Sequence, residues 1–218
     1  MALSLAACSG AGSGSGTSES PEATGGAATG DTIKVGALFN VTGGQASLDE
    51  PSLRGFQLYF DQLNEAGGIN GRQIQVVSYD GKTDQSTCAT NTSKLIDVDG
   101  VVAIGGLSDS NYAFAAGNVA QEAGVPFVFS GATTPTLNDI GNYVFLTPFG
   151  DDTCAYAAAE YMTEEMGLTK AYMLVDQSMD FTTTLAECFQ ERLEENGGEV
   201  VMTDNYMNKD PDFSAQID

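Results

Sequence analysis

From residue 31 onward, short β-branched runs alternate with stretches of 11 to 16 residues whose apolar positions recur every three to four residues. Period-two runs read as strands and the longer stretches as amphipathic helices. Strands are predicted at 33–39, 73–79, 101–104, 126–129, 143–146, 170–175 and 199–203. Leu53, Phe56, Phe60 and Leu63 put one apolar stripe on a first helix that Gly67 and Gly68 terminate, and that stripe is expected to be core. Four further helices are expected near 86–96, 111–123, 152–166 and 182–195. Strands separated by helical crossovers imply an α/β protein with doubly wound, mostly parallel sheets.

The rhythm breaks at Thr147-Pro148-Phe149-Gly150-Asp151-Asp152, where Pro148 cannot continue a central strand. A domain crossing is therefore placed there, giving a first lobe over 31–148 and a second over 149–218. After one strand, helix and strand the second lobe reaches Asp210 to Asp218, where a further helix begins, so it is expected to be incomplete.

Residues 9–30 are a Gly/Ser/Ala/Thr/Glu run that reads as a flexible tether. Ahead of it, residues 1–8 end in Leu5-Ala6-Ala7-Cys8, which resembles a bacterial lipoprotein box with Cys8 as the lipidated residue. Only seven residues precede Cys8, so the basic region and most of the apolar region of a secretory signal are missing, and 1–8 reads as a partial signal. The expected location is extracytoplasmic, either lipid-anchored at the cell membrane or periplasmic, with membrane contact through that anchor alone.

Charge narrows the partners. Eight basic and thirty acidic residues give a net charge of -22, a field that repels phosphate backbones, so no nucleic-acid partner is expected. Cys88, Cys154 and Cys188 lack CxxC spacing, and the chain has no histidine, so neither a metal nor a cofactor is implied. If a disulfide forms, Cys154 with Cys188 is the preferred pair, since both fall on successive helices; free thiols are the alternative.

Catalytic constellations are also missing. Without histidine there is no Ser-His-Asp or Cys-His arrangement. Gly81-Lys82-Thr83 has Val76 where a phosphate loop needs its first glycine. Asn208, Asp210 and Asp212 alternate like the start of a calcium loop, but Phe213 occupies the position of the turn glycine. The chain is not expected to be an enzyme.

An open α/β sheet binds ligands beyond the carboxyl ends of its strands, where helix N-termini offer unpaired N–H groups to anions. Two loops fit that position. Gly105-Gly106 leads to Ser108, Asp109 and Ser110 ahead of the third helix, and Ser130-Gly131-Ala132-Thr133-Thr134-Pro135 follows the fourth strand. Each also has a purely structural reading, the first as a helix cap and the second as a polar turn.

Several segments together resemble the type I periplasmic-binding-protein family, in particular the branched-chain amino-acid (leucine/isoleucine/valine-type) substrate-binding proteins of ABC importers. They are IKVGALFNVTGG, LNEAGGINGRQIQVVSYD, AIGGLSDSNYAFAAG, AQEAGVPFVFSGATTPTL and DFSAQI, spread over about 31–218. The resemblance implies two lobes that close by a hinge on a small amino acid, and a membrane permease as partner. It implies Ser110 as the hydroxyl gripping an α-carboxylate, Thr133 as a second polar contact and Gly131 as a backbone contact, with Ser108 and Asp109 beside them. Leu48 falls near a wall position in the loop after the first strand. Phe181 or Asp180 matches the region of a ligand-facing tyrosine. Asp109 is a departure, since a carboxylate there would repel an anion unless turned away or paired with an ammonium. Two other readings stay open: a ligand-sensing domain of a receptor, and the same role with urea or a short amide as ligand.

Overall fold

The computed structural model describes residues 31–217. The box at Cys8 and the tether over 9–30 lie outside the described residues.

Five parallel strands form the first sheet in the order β2-β1-β3-β4-β5: β1 (Ile33–Phe39), β2 (Ile74–Asp80), β3 (Ile104–Gly106), β4 (Phe127–Phe129) and β5 (Val144–Leu146). The sheet is doubly wound, with helices α1 (Ala46–Glu65), α2 (Gln85–Lys94) and α3 (Ser110–Ala123) in its crossovers. Its core is contiguous: Leu38, Leu95, Ile104, Leu107, Phe127, Phe129 and Leu137 are fully or almost fully buried. The run Gly36–Phe39 that ends β1 is buried without a break, as in a strand covered on both faces, whereas Val128 in the middle of β4 is exposed.

The chain then passes to a separate parallel pair, β6 (Lys170–Asp176) and β7 (Glu199–Tyr206), flanked by α4 (Asp151–Glu160) and α5 (Asp180–Glu195), with a last turn, α6 (Ser214–Ile217). Met173 and Val175 are buried while Tyr172 and Leu174, alternating with them, are exposed, so β6 packs one face only. Helices α4 and α5 run side by side. Tyr156 Oη donates to Glu191 Oε2 at 2.9 Å, the Arg192 guanidinium meets Glu160 at 3.0 Å, and Asn196 Nδ2 donates to Thr163 Oγ1 at 3.0 Å.

Four expectations are corrected. The third strand begins at Ile104, not at residue 101, and includes Gly105-Gly106, which the pattern assigned to a turn. Both glycines are buried in tight quarters: a Cβ on Gly105 would lie 2.4 Å from the Phe56 ring, and one on Gly106, at φ +148°, would lie 1.7 Å from the Leu38 carbonyl oxygen. Only glycine fits there, and glycine carries no strand signal in a sequence. Leu48 is not in a loop, because α1 starts at Ala46 and places it in the first turn. The stripe on α1 is half-buried; Asp49 is the fully buried residue of that helix. Finally, Cys154 and Cys188 are free thiols. Cys154 is exposed and Cys188 half-buried, and α4 and α5 are held by the polar bonds just described.

A short 3-10 turn, Pro135–Ile140, had no sequence signal, while the π-helical turns Leu95–Asp99 and Tyr161–Glu165 continue α2 and α4, the second within the helix expected near 152–166.

Candidate functional site

Three loops at the carboxyl end of the first sheet converge on one cleft, and each is fixed by its own bonds. The loop after β1 is tied to the loop after β2. Asp80 accepts from the Val41 and Thr42 backbones and from Thr42 Oγ1, Asn40 Oδ1 accepts from the Thr83 backbone, and the Gln45 N–H donates to Thr83 Oγ1. Burial raises the Asp80 carboxyl, but the bonds from Thr42, Lys82 and Val41 outweigh it and hold its pKa below the ordinary value. Asp49, buried in α1, accepts from the Asn40 N–H at 2.7 Å. These bonds set where α1 begins and so aim Gln45 and Leu48 into the cleft.

The loop after β3 is conformationally strained. Leu107 is fully buried at φ +50°, a region that costs a side-chain-bearing residue energy. The strain is held by Leu107 N–H donating to Leu38 O at 3.0 Å, and it turns Ser108 toward the cleft. Asp109 then caps α3, accepting from the Asn111 N–H at 2.9 Å through Oδ1, while Oδ2 accepts from Gln45 Nε2 at 2.9 Å. Its carboxyl is pushed up, first by burial and then by the charges of Asp49 and Asp180, against the lowering effect of the Asn111 bond. Ser110, the first residue of α3, is fully buried and its Oγ accepts from the Thr134 N–H at 3.3 Å. The hydroxyl proton stays available to a further acceptor.

The loop after β4 approaches so closely that a Cβ on Gly131 would lie 2.8 Å from Ser108 Cβ. Thr133 O accepts from the Asp151 N–H at 3.0 Å, and Thr134 Oγ1 donates to Asp151 Oδ2 at 3.0 Å, so this loop also carries the passage into α4. Burial raises the Asp151 carboxyl, and bonds from Thr133 and Thr134 lower it less than burial raises it.

Together these loops and the β6–α5 turn enclose a cavity of about 290 Å³. Ser108, Asp109, Ser110, Gly131 and Thr133 line one side of it, Leu48 a second, and Phe181 the side belonging to the second sheet. Asp180 does not line it; as the first residue of α5 it follows Met179, which occupies the cap position. Two lining residues were missed, Gln45 and Met179. Both lie in segments that pointed to the site, but choosing between Met179, Asp180 and Phe181 needs the exact start of α5, which period alone does not give.

The arrangement offers hydroxyls and backbone groups beside the N-terminus of α3 on one wall, suited to an anionic group. Leu48, Met179 and Phe181 form an apolar wall suited to an aliphatic or aromatic body.

A sheet of this order with a second parallel unit behind it, and a cleft between them, defines a two-lobe binding protein. The family model described as periplasmic binding protein matches residues 32–218, and the chain belongs to that family. An amino acid binding protein of Pseudomonas aeruginosa is 26% identical over 186 residues, and a Leu/Ile/Val-binding protein homolog of Brucella suis is 28% identical over 196 residues. Each alignment covers 85% of this chain, and 50% and 48% of the relative. Among solved structures, the branched-chain amino acid transporter substrate binding protein of Streptococcus pneumoniae in complex with isoleucine is 32% identical with a TM-score of 0.79, covering 85% of this chain and 53% of that one. A solute binding protein from Rhodopseudomonas palustris, in complex with 3,4-dihydroxybenzoic acid, is 25% identical with a TM-score of 0.76, covering 85% and 50%. The chain thus spans about half the length of the relatives it matches.

Proposed function

We propose that this protein is the extracytoplasmic substrate-binding component of an ABC importer, that it binds a branched-chain amino acid between two lobes divided near residue 148, and that it catalyses no reaction. The observation that carries this is the cavity itself. Its polar wall combines the Ser110 hydroxyl, Thr133 and the Gly131 backbone at the start of α3, and its apolar wall combines Leu48, Met179 and Phe181. A zwitterion with an aliphatic side chain matches both walls, and about 290 Å³ suits a molecule of that size. Asp109 lines the cavity with both oxygens held by protein bonds, and in this reading its carboxylate faces the ligand's ammonium rather than its carboxylate. Cys8 would carry the lipid, and the closed form would be what the permease recognises. The isoleucine complex of the Streptococcus pneumoniae relative supports the amino-acid reading.

The test is calorimetric titration of the full-length protein with leucine, isoleucine, valine, urea and 3,4-dihydroxybenzoate, with Ser110→Ala in parallel. Binding of a branched-chain amino acid that Ser110→Ala weakens by about 1.5 to 3 kcal/mol, the worth of a hydrogen bond to a charged group, is the expected result. Binding of the aromatic acid or urea instead would keep the role and replace the ligand. No heat with any of them in a folded protein would sink the amino-acid reading.

A further inference from the structure

Helix α5 lacks a cap of its own. Its cap position is Met179, whose side chain accepts nothing, although the first turn of a helix leaves backbone N–H groups without partners. The missing acceptor comes from the other lobe. Asn111, on α3, accepts the Asp180 N–H through Oδ1 at 2.9 Å, and its Nδ2 reaches the Ser178 carbonyl at 3.4 Å. Apart from the bonds of the crossover at Asp151, these are the hydrogen bonds that join the two lobes among the described residues. The amide that Asn111 holds lies between Met179 and Phe181, the two residues through which the second lobe lines the cavity.

We propose that Asn111 is a latch: a positioning residue that caps α5 only when the lobes are together, and that thereby holds Met179 and Phe181 over the ligand. Separation of the lobes uncaps α5, so the closed state gains the capping energy that the open state forgoes. Because Asn111 does not line the binding cavity, its loss leaves the entry of ligand unchanged and shortens its stay. This inference rests on the solute-binding reading.

Two substitutions remove the bond from opposite sides. Asn111→Ala deletes the acceptor and improves the helix propensity of α3. Asp180→Pro deletes the donor at a position where proline is favoured, after a Met179 already extended at φ -134° and ψ 130°. Each is expected to raise the leucine dissociation rate about threefold to tenfold, the effect of one lost hydrogen bond or cap, with the association rate unchanged. The double variant should dissociate no faster than Asn111→Ala alone, because that substitution already removes the one bond that Asp180→Pro removes. Additive effects, or a dissociation rate that neither substitution alters, overturn the latch.

Amide hydrogen exchange at Asp180, measured without ligand and with saturating leucine, separates this inference from the function on which it rests. Faster exchange in Asn111→Ala than in the wild type supports the latch even if leucine fails to bind. Equal exchange in both proteins under both conditions refutes it even if leucine binds.

Discussion

Asp109 tests whether the cleft loops are held by the bonds described above. Replacing it with alanine removes the cap of α3 and the acceptor of Gln45 Nε2 together. A lost cap costs about 1 kcal/mol, and a hydrogen bond to a charged acceptor about 1.5 to 3 kcal/mol less what water restores to a half-buried amide. Asp109→Ala should therefore lose about 2 to 3 kcal/mol of unfolding free energy at pH 7. Asparagine caps as well as aspartate, and Gln45 can turn its amide to accept from the new side chain, so Asp109→Asn should lose less than about 1 kcal/mol.

The two variants also separate bonding from charge. Burial raises the Asp109 carboxyl above its ordinary 3.8, so the folded state binds this proton more tightly than the unfolded state. The group then favours folding most at low pH, and stability falls as pH rises from about 4 through the folded pKa. Asp109→Asn cannot titrate, so its stability relative to wild type should improve across that window and level off above it. Urea denaturation at several pH values between about 3.5 and 7.5 reads both effects. An Asp109→Ala variant as stable as wild type, or an Asp109→Asn variant as damaged as Asp109→Ala, would refute the account of the loop.

Other consequences can be checked more briefly. Gly131→Ala places a Cβ 2.8 Å from Ser108 Cβ, so the two loops must part at the cavity wall; affinity for the ligand should fall at least about tenfold, by titration, as for a loss of about 1.4 kcal/mol or more. Among the cysteines of the described residues, alkylation in the folded protein should label Cys154 first and Cys188 more slowly. Cys88, buried with its thiol pushed up to about 12, first by burial and then by Asp49, Asp84 and Asp80, should label only on unfolding. Arg192→Ala breaks the pair with Glu160 and removes the guanidinium 4.3 Å over the Tyr156 ring; thermal or urea melting should show a loss of about 1 kcal/mol, since the pair is partly exposed.

Much of the fold was legible because β1 and β6 carry β-branched and apolar residues and α1 carries an apolar stripe. The start of β1 and the end of the third helix at Ala123 needed no tertiary information beyond that. The third strand was misplaced because its residues are chosen by neighbours rather than by propensity: Gly105 makes room for Phe56, and Gly106 for the Leu38 carbonyl. Val101 and Val102 look more like a strand, yet Val102 is 59% exposed and lies before the paired segment. The position of Leu48 was off for a similar reason, since α1 starts where Thr83 and Asp80 anchor the preceding loop, 38 residues away in sequence for the Thr42 and Gln45 bonds.

The cavity shows the same division between local and assembled information. Ser110, Thr133 and Gly131 stand at strand ends, where the general rule for α/β sheets directs attention, so their convergence could be expected from the order of elements alone. Gln45 and Met179 carry no such mark. Gln45 reaches the cleft because Asp109 accepts its amide, and Met179 because the β6–α5 turn ends one residue before Asp180. Gln45 is therefore set by a bond between two loops and Met179 by the start of α5, whose Asp180 N–H donates across the lobes to Asn111 Oδ1. It follows that the part of the apolar wall supplied by Met179 and Phe181 depends on how the lobes meet, whereas the polar wall is complete within the first lobe. A ligand should then be recognised first by its charged groups on the first lobe and discriminated by its side chain only on closure, so variants of Ser110 should slow association and variants of Phe181 should act on dissociation. Stopped-flow rates for Ser110→Ala and Phe181→Ala with leucine decide it: equal partition of both effects between association and dissociation would contradict that order of events.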